Sequence, residues 1–243
     1  MTISNNDLKK YSSLNRKIKR KEYQLFVVEG EKICKELLKN DFEFESIFAT
    51  EDLQNEFPLA TVCSRKEIAR ISHLKSPSNV IAICKTPTYK INSKDKKPLI
   101  FLDNVNDPGN LGTIIRTLDW FGYKQLFCSK NTVDCFNNKS VMSSMGSIFR
   151  INCHYIDFDE FQQLFPQHVT YGTSLNGENI DSVRLGTNSI IVIGNESNGI
   201  SKKIMDKLNN TIRIPGVGNA ESLNVSVATG IVLNELGKIN PQK

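Results

Sequence analysis

The first 90 residues carry short apolar blocks with two different spacings, which predict a small unit of alternating helices and strands. The segment EKICKELLKN places Ile33, Leu37 and Leu38 at helical spacing. A further helix is predicted after Ser64, because Glu67 follows three residues later, as in a capping box. Continuous apolar runs predict three strands, and a basic segment predicts one or two helices: LFVVEG at 25–30, FESIFAT at 44–50, VIAICK at 80–85, and residues 8–23.

From residue 98 onward, strand and helix patterns alternate, which is typical of a parallel sheet covered by helices on both faces. SIIVIGNE contains a fully apolar strand of the kind that lies buried inside such a sheet. The predicted strands are PLIFLDNV at 98–105, QLFCS at 125–129, VTYGTS at 169–174, SIIVIGNE at 189–196 and TIRIPG at 211–216. The predicted helices lie at 109–122, 158–165, 201–208 and 222–238.

The two patterned regions are separated by residues 86–98, which contain two prolines, four lysines and few apolar side chains. This composition is typical of a linker between domains. We therefore predict a smaller α/β domain at residues 1–90, a linker at 86–98 and a second α/β domain with a parallel sheet at 98–243.

Composition limits the class of protein. The 243-residue chain is 39% hydrophobic and 23% charged, which suits a buried core and a water-exposed surface. It has no apolar run of about 18 residues and no secretion-signal pattern, so we expect a cytoplasmic protein that does not cross a membrane. The six cysteines and three histidines match no metal-binding spacing, so we expect buried thiols and no metal.

The net charge of +5 is unevenly distributed along the chain. Residues 1–97 hold 19 Lys and Arg against 13 Asp and Glu, whereas residues 98–243 hold 12 against 13. Seven of the basic residues lie within residues 1–21, against a single acidic residue. Such a segment attracts phosphate groups, so nucleic acid is one candidate partner, and a solvated helix face is the other interpretation.

Three loops that follow predicted strands are rich in Gly, Asn and acidic residues. They are residues 103–113, 194–199 and 214–226. Because the carboxyl ends of parallel strands share one edge of a sheet, we expect these loops to lie together at the edge where α/β proteins bind their ligands.

In the first loop, Pro108 and Gly109 indicate a turn, and the next helix is expected to begin near Asn110. The free N–H groups of that helix would face a phosphate, and Arg116 would point to the same edge. A turn with an ordinary helix cap and a surface arginine explains this loop, taken alone, at least as well.

In the second loop, Glu196 follows a strand and lies between two glycines, which fits either a ligand contact or a solvated carboxylate. In the third loop, Ser222 is explained as the N-cap of the last helix. Asn224 is not explained in this way, because asparagine is a weak helix former in a first turn. The chain contains no GxGxxG, GxxxxGK[ST] or GxSxG pattern, which argues against nicotinamide, ATP and serine-hydrolase sites.

Taken in order, the three loops resemble the motifs of the SpoU (TrmH-type) branch of the SPOUT RNA methyltransferases. The matching segments are NDPGNLGTIIRT at 106–117, IVIGNESNGIS at 191–201 and IRIPGVGNAESLNVSVA at 212–228. Residues 139–146, KSVMSSMG, resemble the serine- and glycine-containing stretch between the first two motifs. The smaller domain resembles the ribosomal-protein-like domain of many members, with FVVEG at 26–30 as its best marker.

The resemblance implies an α/β methyltransferase domain with a C-terminal trefoil knot, a feature that residue patterns alone would not suggest. It also implies bent S-adenosylmethionine held by the knot loops, and a homodimer whose active site uses both subunits. The residues that match the family's catalytic positions are Asn110, Arg116, Glu196, Ser222 and Asn224. The residues that match its cofactor-binding positions are Gly194, Asn195, Glu196, Ile214, Pro215, Ser222 and Leu223.

One residue departs from the family pattern. The proline of the third motif is commonly followed by methionine, whereas this chain has Gly216. The change removes no polar catalytic group, although it alters the loop that is expected to hold the cofactor.

The resemblance therefore implies S-adenosylmethionine-dependent methylation of a ribose 2′-hydroxyl in structured RNA, with ribosomal RNA favoured over transfer RNA. Lys17, Lys19, Arg20 and Lys21 are expected to contact RNA phosphates. Two alternatives stay open: a non-catalytic RNA-binding or ribosome-assembly protein, and a small-molecule α/β enzyme that uses another nucleotide. The intact polar motif residues argue against the first, and the absent phosphate-loop patterns argue against the second.

Overall fold

A computed structural model describes residues 3–239, which divide into two compact units. The first, here called the N-terminal unit, contains the chain up to Thr88 together with Asp134–Arg150. The second, here called the C-terminal unit, contains Tyr89–Val133 and the chain from Ile151 onward. The smaller and the larger α/β units that the sequence predicts are therefore both present.

The elements follow each other along the chain much as the sequence predicts. Within residues 3–239 the helices are α1 (Asn5–Ser12), α2 (Lys17–Tyr23), α3 (Glu31–Leu38), α4 (Arg65–Ile71), α5 (Pro108–Trp120), α6 (Asn138–Ser144), α7 (Phe158–Leu164), α8 (Lys202–Met205) and α9 (Val225–Ile239). The strands are β1 (Leu25–Glu29), β2 (Phe44–Ala49), β3 (Thr61–Val62), β4 (Val80–Lys85), β5 (Leu99–Leu102), β6 (Gln125–Cys128), β7 (Asn152–Tyr155), β8 (Val169–Asn179), β9 (Ser189–Ile193) and β10 (Asn210–Arg213).

The N-terminal unit has a four-stranded mixed sheet in the order β1-β4-β2-β3. β4 pairs antiparallel with both β1 and β2, while β2 and β3 pair parallel. Every residue of β1 is buried, as is all of β4 except its last residue, so these two strands form the centre of the core. The capping box predicted for α4 is confirmed, because Ser64 accepts from the Glu67 N–H and Glu67 accepts from the Ser64 N–H.

The C-terminal unit has a six-stranded sheet in the order β10-β8-β9-β5-β6-β7, and every neighbouring pair is parallel. The predicted parallel sheet is therefore confirmed. β5 and β9 are neighbours near its centre and are buried along their whole length. On one face, Phe161 packs against Phe101 and Phe127, with ring centroids 5.1 and 4.6 Å apart.

Residues 134–150 connect β6 to β7 but fold with the N-terminal unit. Phe136 packs on Phe26 with ring centroids 4.5 Å apart. Gly146 lies so close to Glu36 that an added Cβ would come within 2.7 Å of the Glu36 Cβ. The sequence places this segment in the larger domain, because a short return of the chain leaves no change in composition.

The remaining differences concern lengths and boundaries. β8 runs over 11 residues, α8 covers only 4, and α9 begins at Val225 instead of Ser222. The sequence does not predict β3, β7 or α6. β3 has only two residues, and β7 and α6 contain too few apolar residues to show a hydrophobic pattern.

The structure also bears on the expectations about the cysteines, membrane spans and metal sites. Five of the six cysteines are buried and Cys153 is half-buried, so the expectation of buried thiols holds for all but one. Among the described residues, no helix is long and apolar enough to cross a membrane. Over residues 3–239, no three His, Cys, Asp or Glu side chains cluster in a way that would hold a metal ion.

Candidate active site

The three Gly- and Asn-rich loops lie at one edge of the parallel sheet. They follow β5, β9 and β10, and the first two of these strands are neighbours. Since every pair in the sheet is parallel, the carboxyl ends of the three strands point the same way. Hydrogen bonds between side chains of the loops show how closely they meet.

Asn110 connects the first loop to the other two. Its Nδ2 donates to Glu196 Oε1 at 2.7 Å, and its Oδ1 accepts from Asn224 Nδ2 at 3.0 Å. Each of these three residues belongs to a different loop. Three residues predicted to be catalytic are thus joined by direct side-chain hydrogen bonds.

The carboxylate of Glu196 sets the direction of this hydrogen-bond chain. An ionised carboxylate only accepts, so Asn110 must present Nδ2 to Glu196 and Oδ1 to Asn224. Asn224 then donates through Nδ2, and its Oδ1 accepts from the Ser226 N–H at 2.9 Å and the Ser226 hydroxyl at 2.6 Å. The amide orientations therefore agree from one end of the chain to the other.

Asn224 is the residue before the first turn of α9, and the expectation that Ser222 caps this helix is wrong. The Asn224 side chain accepts from the Ser226 N–H, and its carbonyl accepts from the Ala228 N–H at 2.9 Å. Asparagine is among the preferred N-cap residues. Because capping uses only the oxygen of the side chain, Nδ2 can also reach Asn110.

The first loop differs from its prediction at the start of α5. This helix begins at Pro108 instead of near Asn110, and Asp107 is its N-cap. The Asp107 carboxylate accepts from the Asn110 N–H at 2.9 Å, so that N–H is not available to a phosphate. A carboxylate at this position also repels anions, so the structure does not support a phosphate site at this helix end.

The second loop is a tight turn that depends on glycine. Asn195 and Gly199 exchange two backbone hydrogen bonds of 2.9 Å. A Cβ on Gly194 would lie 2.2 Å from the Gly199 carbonyl carbon, a distance that no side chain tolerates. Gly194 is thus required by the close approach of two backbone segments, and the turn fixes where Glu196 leaves the strand.

The third loop presents most of its side chains to solvent. Ser222 and Pro215 are exposed, Ile214 is half-buried, and Leu223 is 48% exposed. The predicted cofactor residues of this loop therefore lie on an accessible surface. Ser222 is not part of the hydrogen-bond chain that joins Asn110 to its partners in the described residues.

Arg116 lies on the exposed face of α5. Trp120, one helical turn later on the same face, is 86% exposed. Within the described residues, the Asn110 hydrogen-bond chain does not include the Arg116 guanidinium. The structure thus keeps this cation accessible to a ligand instead of committing it to the loops.

Asp103, Asn104 and Ser226 belong to this site but are absent from the set predicted from the sequence. The Asp103 carboxylate accepts from the Ser201 N–H at 2.7 Å, and Asn104 has a left-handed backbone with φ of 55°. Asparagine tolerates this conformation better than other residues with side chains. An Asp-Asn pair directly after a buried strand was the available signal.

The basic segment of the N-terminal unit contains residues with different environments. Lys17 and Lys21 are exposed on α2, and Lys19 pairs with Glu22 at 2.6 Å. Lys19 itself is half-buried. The exposed pair carries most of the accessible charge of the helix.

Arg20 is the exception in this segment, because it is only 5% exposed. Its guanidinium pairs with Asp134 at 2.6 Å and donates to the carbonyl oxygens of Leu14 and Asn15 at 2.8 and 3.0 Å. Arg20 therefore holds the N-terminal unit together. The prediction that it contacts RNA phosphates is corrected to a structural role.

Both units match known families. The model of the SpoU rRNA Methylase family matches residues 97–234. The model of the MRM3-like substrate binding domain matches residues 5–82. Together the two matches cover most of the chain, one in each unit.

Relatives similar over nearly the whole chain carry the same two parts. The 23S rRNA (guanosine(2553)-2′-O)-methyltransferase RlmP of Bacillus subtilis (strain 168) is 30% identical over 97% of both chains. The structure of an AdoMet-bound rRNA methyltransferase from Sinorhizobium meliloti covers 100% of this chain and 99% of its own, with a TM-score of 0.88 and 25% identity. A TrmH-family protein from Porphyromonas gingivalis covers 96% of this chain and 98% of its own, with a TM-score of 0.85 and 29% identity. By its motifs, its fold and these similarities, this chain belongs to the SpoU rRNA methylase family.

Proposed function

We propose that this chain transfers a methyl group from S-adenosylmethionine to a ribose 2′-hydroxyl of ribosomal RNA. The observation that carries the proposal is the hydrogen-bond chain of Glu196, Asn110 and Asn224, which joins the three motif loops at one sheet edge. Ribosomal RNA is supported by the Bacillus subtilis relative, which is named for 23S rRNA and is similar over 97% of both chains. A transfer RNA substrate is the alternative within the same chemistry.

The third loop has the chemistry that the adenosyl part of S-adenosylmethionine requires. Val217 and Leu223 are apolar side chains left exposed, and a Cβ on Gly216 would meet no atom within 4 Å. An exposed apolar surface beside open backbone suits the flat face of the adenine ring, whose edge nitrogens need polar partners. Gly216, where the family commonly has methionine, thus leaves the loop open. We assign the cofactor to Gly194, Ile214, Pro215, Ser222 and Leu223, with Asn195 and Glu196 shaping the second loop.

The polar residues divide the work of the reaction between them. When bound, S-adenosylmethionine supplies an electrophilic methyl group on a sulfonium. Arg116 stabilises the negative charge that develops on the ribose oxygen, because a guanidinium keeps its proton and is a poor base. The hydroxyl proton passes to a phosphate oxygen of the RNA. Asn110 orients the ribose, Asn224 holds the third loop, and the exposed side chain of Ser222 contacts the substrate.

Glu196 supports this arrangement without acting as the base. One of its oxygens accepts from Asn110 at 2.7 Å and the other accepts from Asn195 at 3.3 Å. Both carboxylate oxygens are therefore engaged by amide donors of the protein itself. Its role is to hold the loops in register.

A homodimer is supported by the exposed faces of two packed helices. α5 and α9 pack against each other, and they carry Trp120, 86% exposed, and Val227, 51% exposed. Aromatic residues are enriched in the buried centre of protein interfaces. Arg116 lies on the same face of α5 as Trp120, which suits an active site that uses both subunits.

The remaining parts of the proposal follow from the family resemblance. The domains are an RNA-binding domain at 1–90, a linker at 86–98 and a methyltransferase domain at 98–243 with a trefoil knot near its end. Lys17, Lys19 and Lys21 contact RNA phosphates. The proposed location is the cytoplasm, where ribosomes translate.

The test is to incubate the protein with methyl-labelled S-adenosylmethionine and total RNA and then map the label. We expect the label in one nucleotide of ribosomal RNA, at a linkage that resists alkali because the 2′-oxygen is blocked. If the label appears in transfer RNA, the substrate is transfer RNA instead of ribosomal RNA. Cofactor and RNA binding without transfer would favour a non-catalytic RNA-binding protein, and failure to bind the cofactor would refute the proposed chemistry.

A further inference from the structure

We infer that Asp103 and Asn104, at the end of β5, are positioning residues that hold the loop of Glu196 in its working shape. Asn104 acts through the side chain of Asn195, and Asp103 acts through the backbone N–H of Ser201. This inference rests on the proposed methyltransferase function. It assigns Asn195 to the protein's own architecture and leaves it no side-chain contact with the cofactor.

Two consecutive residues anchor both ends of the second loop. At its start, Asn195 Nδ2 donates to the Asn104 carbonyl oxygen at 2.8 Å. At its end, Ser201 donates its N–H to Asp103 Oδ2 at 2.7 Å, and Asp103 is only 2% exposed. A hydrogen bond to a buried carboxylate is short and directional. The position of the loop is therefore set by β5.

Asn195 uses its whole side chain inside the protein. Nδ2 donates to the Asn104 carbonyl and, at 3.3 Å, to Glu196 Oε2. Oδ1 accepts from the N–H groups of Ser197 and Asn198 at 2.9 and 3.2 Å. Two donated and two accepted bonds are the full capacity of a primary amide. The backbone N–H and carbonyl of Asn195 are paired with Gly199 as well, so Asn195 has no hydrogen-bond donor left for a ligand.

Asn104 offers its carbonyl to this amide because its backbone is left-handed, with φ of 55°. Its N–H donates to Ser129 Oγ at 2.9 Å, just after β6. Ser129 Oγ in turn lies 3.1 Å from Thr132 Oγ1, and Thr132 is buried. The hydrogen bond to Ser129, just after the neighbouring strand β6, thus helps to hold Asn104 in a conformation that costs energy.

The contacts form one path from β6 to α9, through Ser129, Asn104, Asn195, Glu196, Asn110 and Asn224. Glu196 accepts one hydrogen bond from Asn195, on the β5 side of this path, and one from Asn110, on the α9 side. Without the donor on the β5 side, its carboxylate can rotate away from Asn110. The amides that orient the substrate would then lose their fixed directions.

The decisive variant is Asn195→Asp, which keeps the size of the side chain but replaces its donor with an acceptor. The new carboxyl faces the Asn104 carbonyl and the Glu196 carboxylate, so at pH 8 we expect kcat to fall about 10- to 100-fold. A carboxyl beside another carboxylate has a raised pKa. Its proton returns as the pH falls and restores a donor, so the variant-to-wild-type ratio of kcat should rise between pH 8 and pH 6.

Asn198→Asp is the matched control, because it adds the same charge to the same loop at an exposed side chain. Its kcat should stay within about threefold of wild type, with no pH-dependent recovery. If Asn195→Asp does not fold, Ser129→Ala removes the acceptor of the Asn104 N–H and should lower kcat about 3- to 10-fold.

The outcomes separate the inference from the function on which it rests. Wild-type kcat in Asn195→Asp, or a deficit that does not change with pH, overturns the positioning role. If the wild-type protein itself transfers no methyl group, the proposed function fails. The inference is then decided by amide hydrogen exchange of residues 194–201 in the cofactor-free protein. Faster exchange in Asn195→Asp than in Asn198→Asp supports it, and equal exchange overturns it.

Discussion

Glu196 in the C-terminal unit and Arg20 in the N-terminal unit are both charged residues that contact side chains far away in sequence. Glu196 lies at the sheet edge, and its partners are two short amides, Asn110 in the first turn of α5 and Asn195 in the second loop. Arg20 is buried, and its partners are Asp134 and two backbone carbonyl oxygens. The first arrangement organises a surface that a ligand can reach, whereas the second closes a core.

The difference shows when a charged residue indicates function. Counting charges along residues 1–21 puts Arg20 among the phosphate contacts, although the fold neutralises it inside the unit. By contrast, Asn110 and Glu196 are half-buried and Asn224 is exposed. Loop context is therefore a better guide to function here than charge density.

Among the substitutions that test this comparison, Arg116→Ala is expected to have the largest effect, a loss of catalytic rate. If Arg116 stabilises the developing charge, Arg116→Ala should lower kcat by about 10²–10³-fold or more, because the variant lacks the positive charge that offsets it. Binding of S-adenosylmethionine, measured by calorimetry, should stay within about twofold. Arg184→Ala, at an exposed arginine outside the three loops, is the control and should retain activity. Near-normal turnover of Arg116→Ala would remove the catalytic assignment.

A second large effect is expected in stability, from the buried arginine of the N-terminal unit. Arg20→Ala leaves the carboxylate of Asp134 without its main partner, so the free energy of unfolding should fall by about 3–5 kcal/mol. Urea unfolding followed by circular dichroism measures this change. Lys21→Ala, at the next residue, is exposed and should change stability by less than about 0.5 kcal/mol. Equal effects of the two substitutions would show that Arg20 is not a structural residue.

The sequence predicts the C-terminal unit more completely than the N-terminal one, for physical reasons. Buried strands such as β9 have continuous apolar runs, and Asn110, Glu196 and Asn224 stand in motifs whose order is specific. Contacts between distant segments leave no such local pattern. The pairing of Arg20 with Asp134 and the hold of Asn104 on Asn195 both depend on chain returns that only the folded structure reveals.

The exposed lysines of α2 allow a test of whether the N-terminal unit binds RNA through this helix. Lys17→Ala combined with Lys21→Ala should weaken RNA binding and lower the slope of log affinity against log salt by about 1–2, because fewer counterions are released. Fluorescence anisotropy with ribosomal RNA fragments at several salt concentrations measures the slope. The control is Lys32→Ala with Lys66→Ala, two exposed lysines outside α2. If both pairs shift the slope equally, α2 has no special role.

The smallest expected effect compares a buried histidine of the C-terminal unit, His154, with a half-buried histidine of the N-terminal unit, His73. Burial lowers the pKa of His154, which stacks on Phe127 with ring centroids 5.2 Å apart. Burial also lowers the pKa of His73, but the Ser12 carbonyl and the Glu29 charge partly oppose that shift. The folded protein therefore resists protonation of His154, while the unfolded chain takes up the proton once the pH falls below about 6.5.

Stability should consequently decline from pH 7 to pH 5.5, with His154 contributing at most about 1.4 kcal/mol per pH unit. His154→Phe keeps the aromatic contact and should remove this part of the pH dependence. His73→Phe is the matched substitution in the N-terminal unit and should flatten the dependence less, because nearby acceptors already favour its proton. Urea unfolding at pH 7.5, 6.5 and 5.5 gives both slopes. If His73→Phe changes the pH dependence of stability more than His154→Phe does, the acceptors near His73 do not favour its protonated form. The two units would then not differ in this respect.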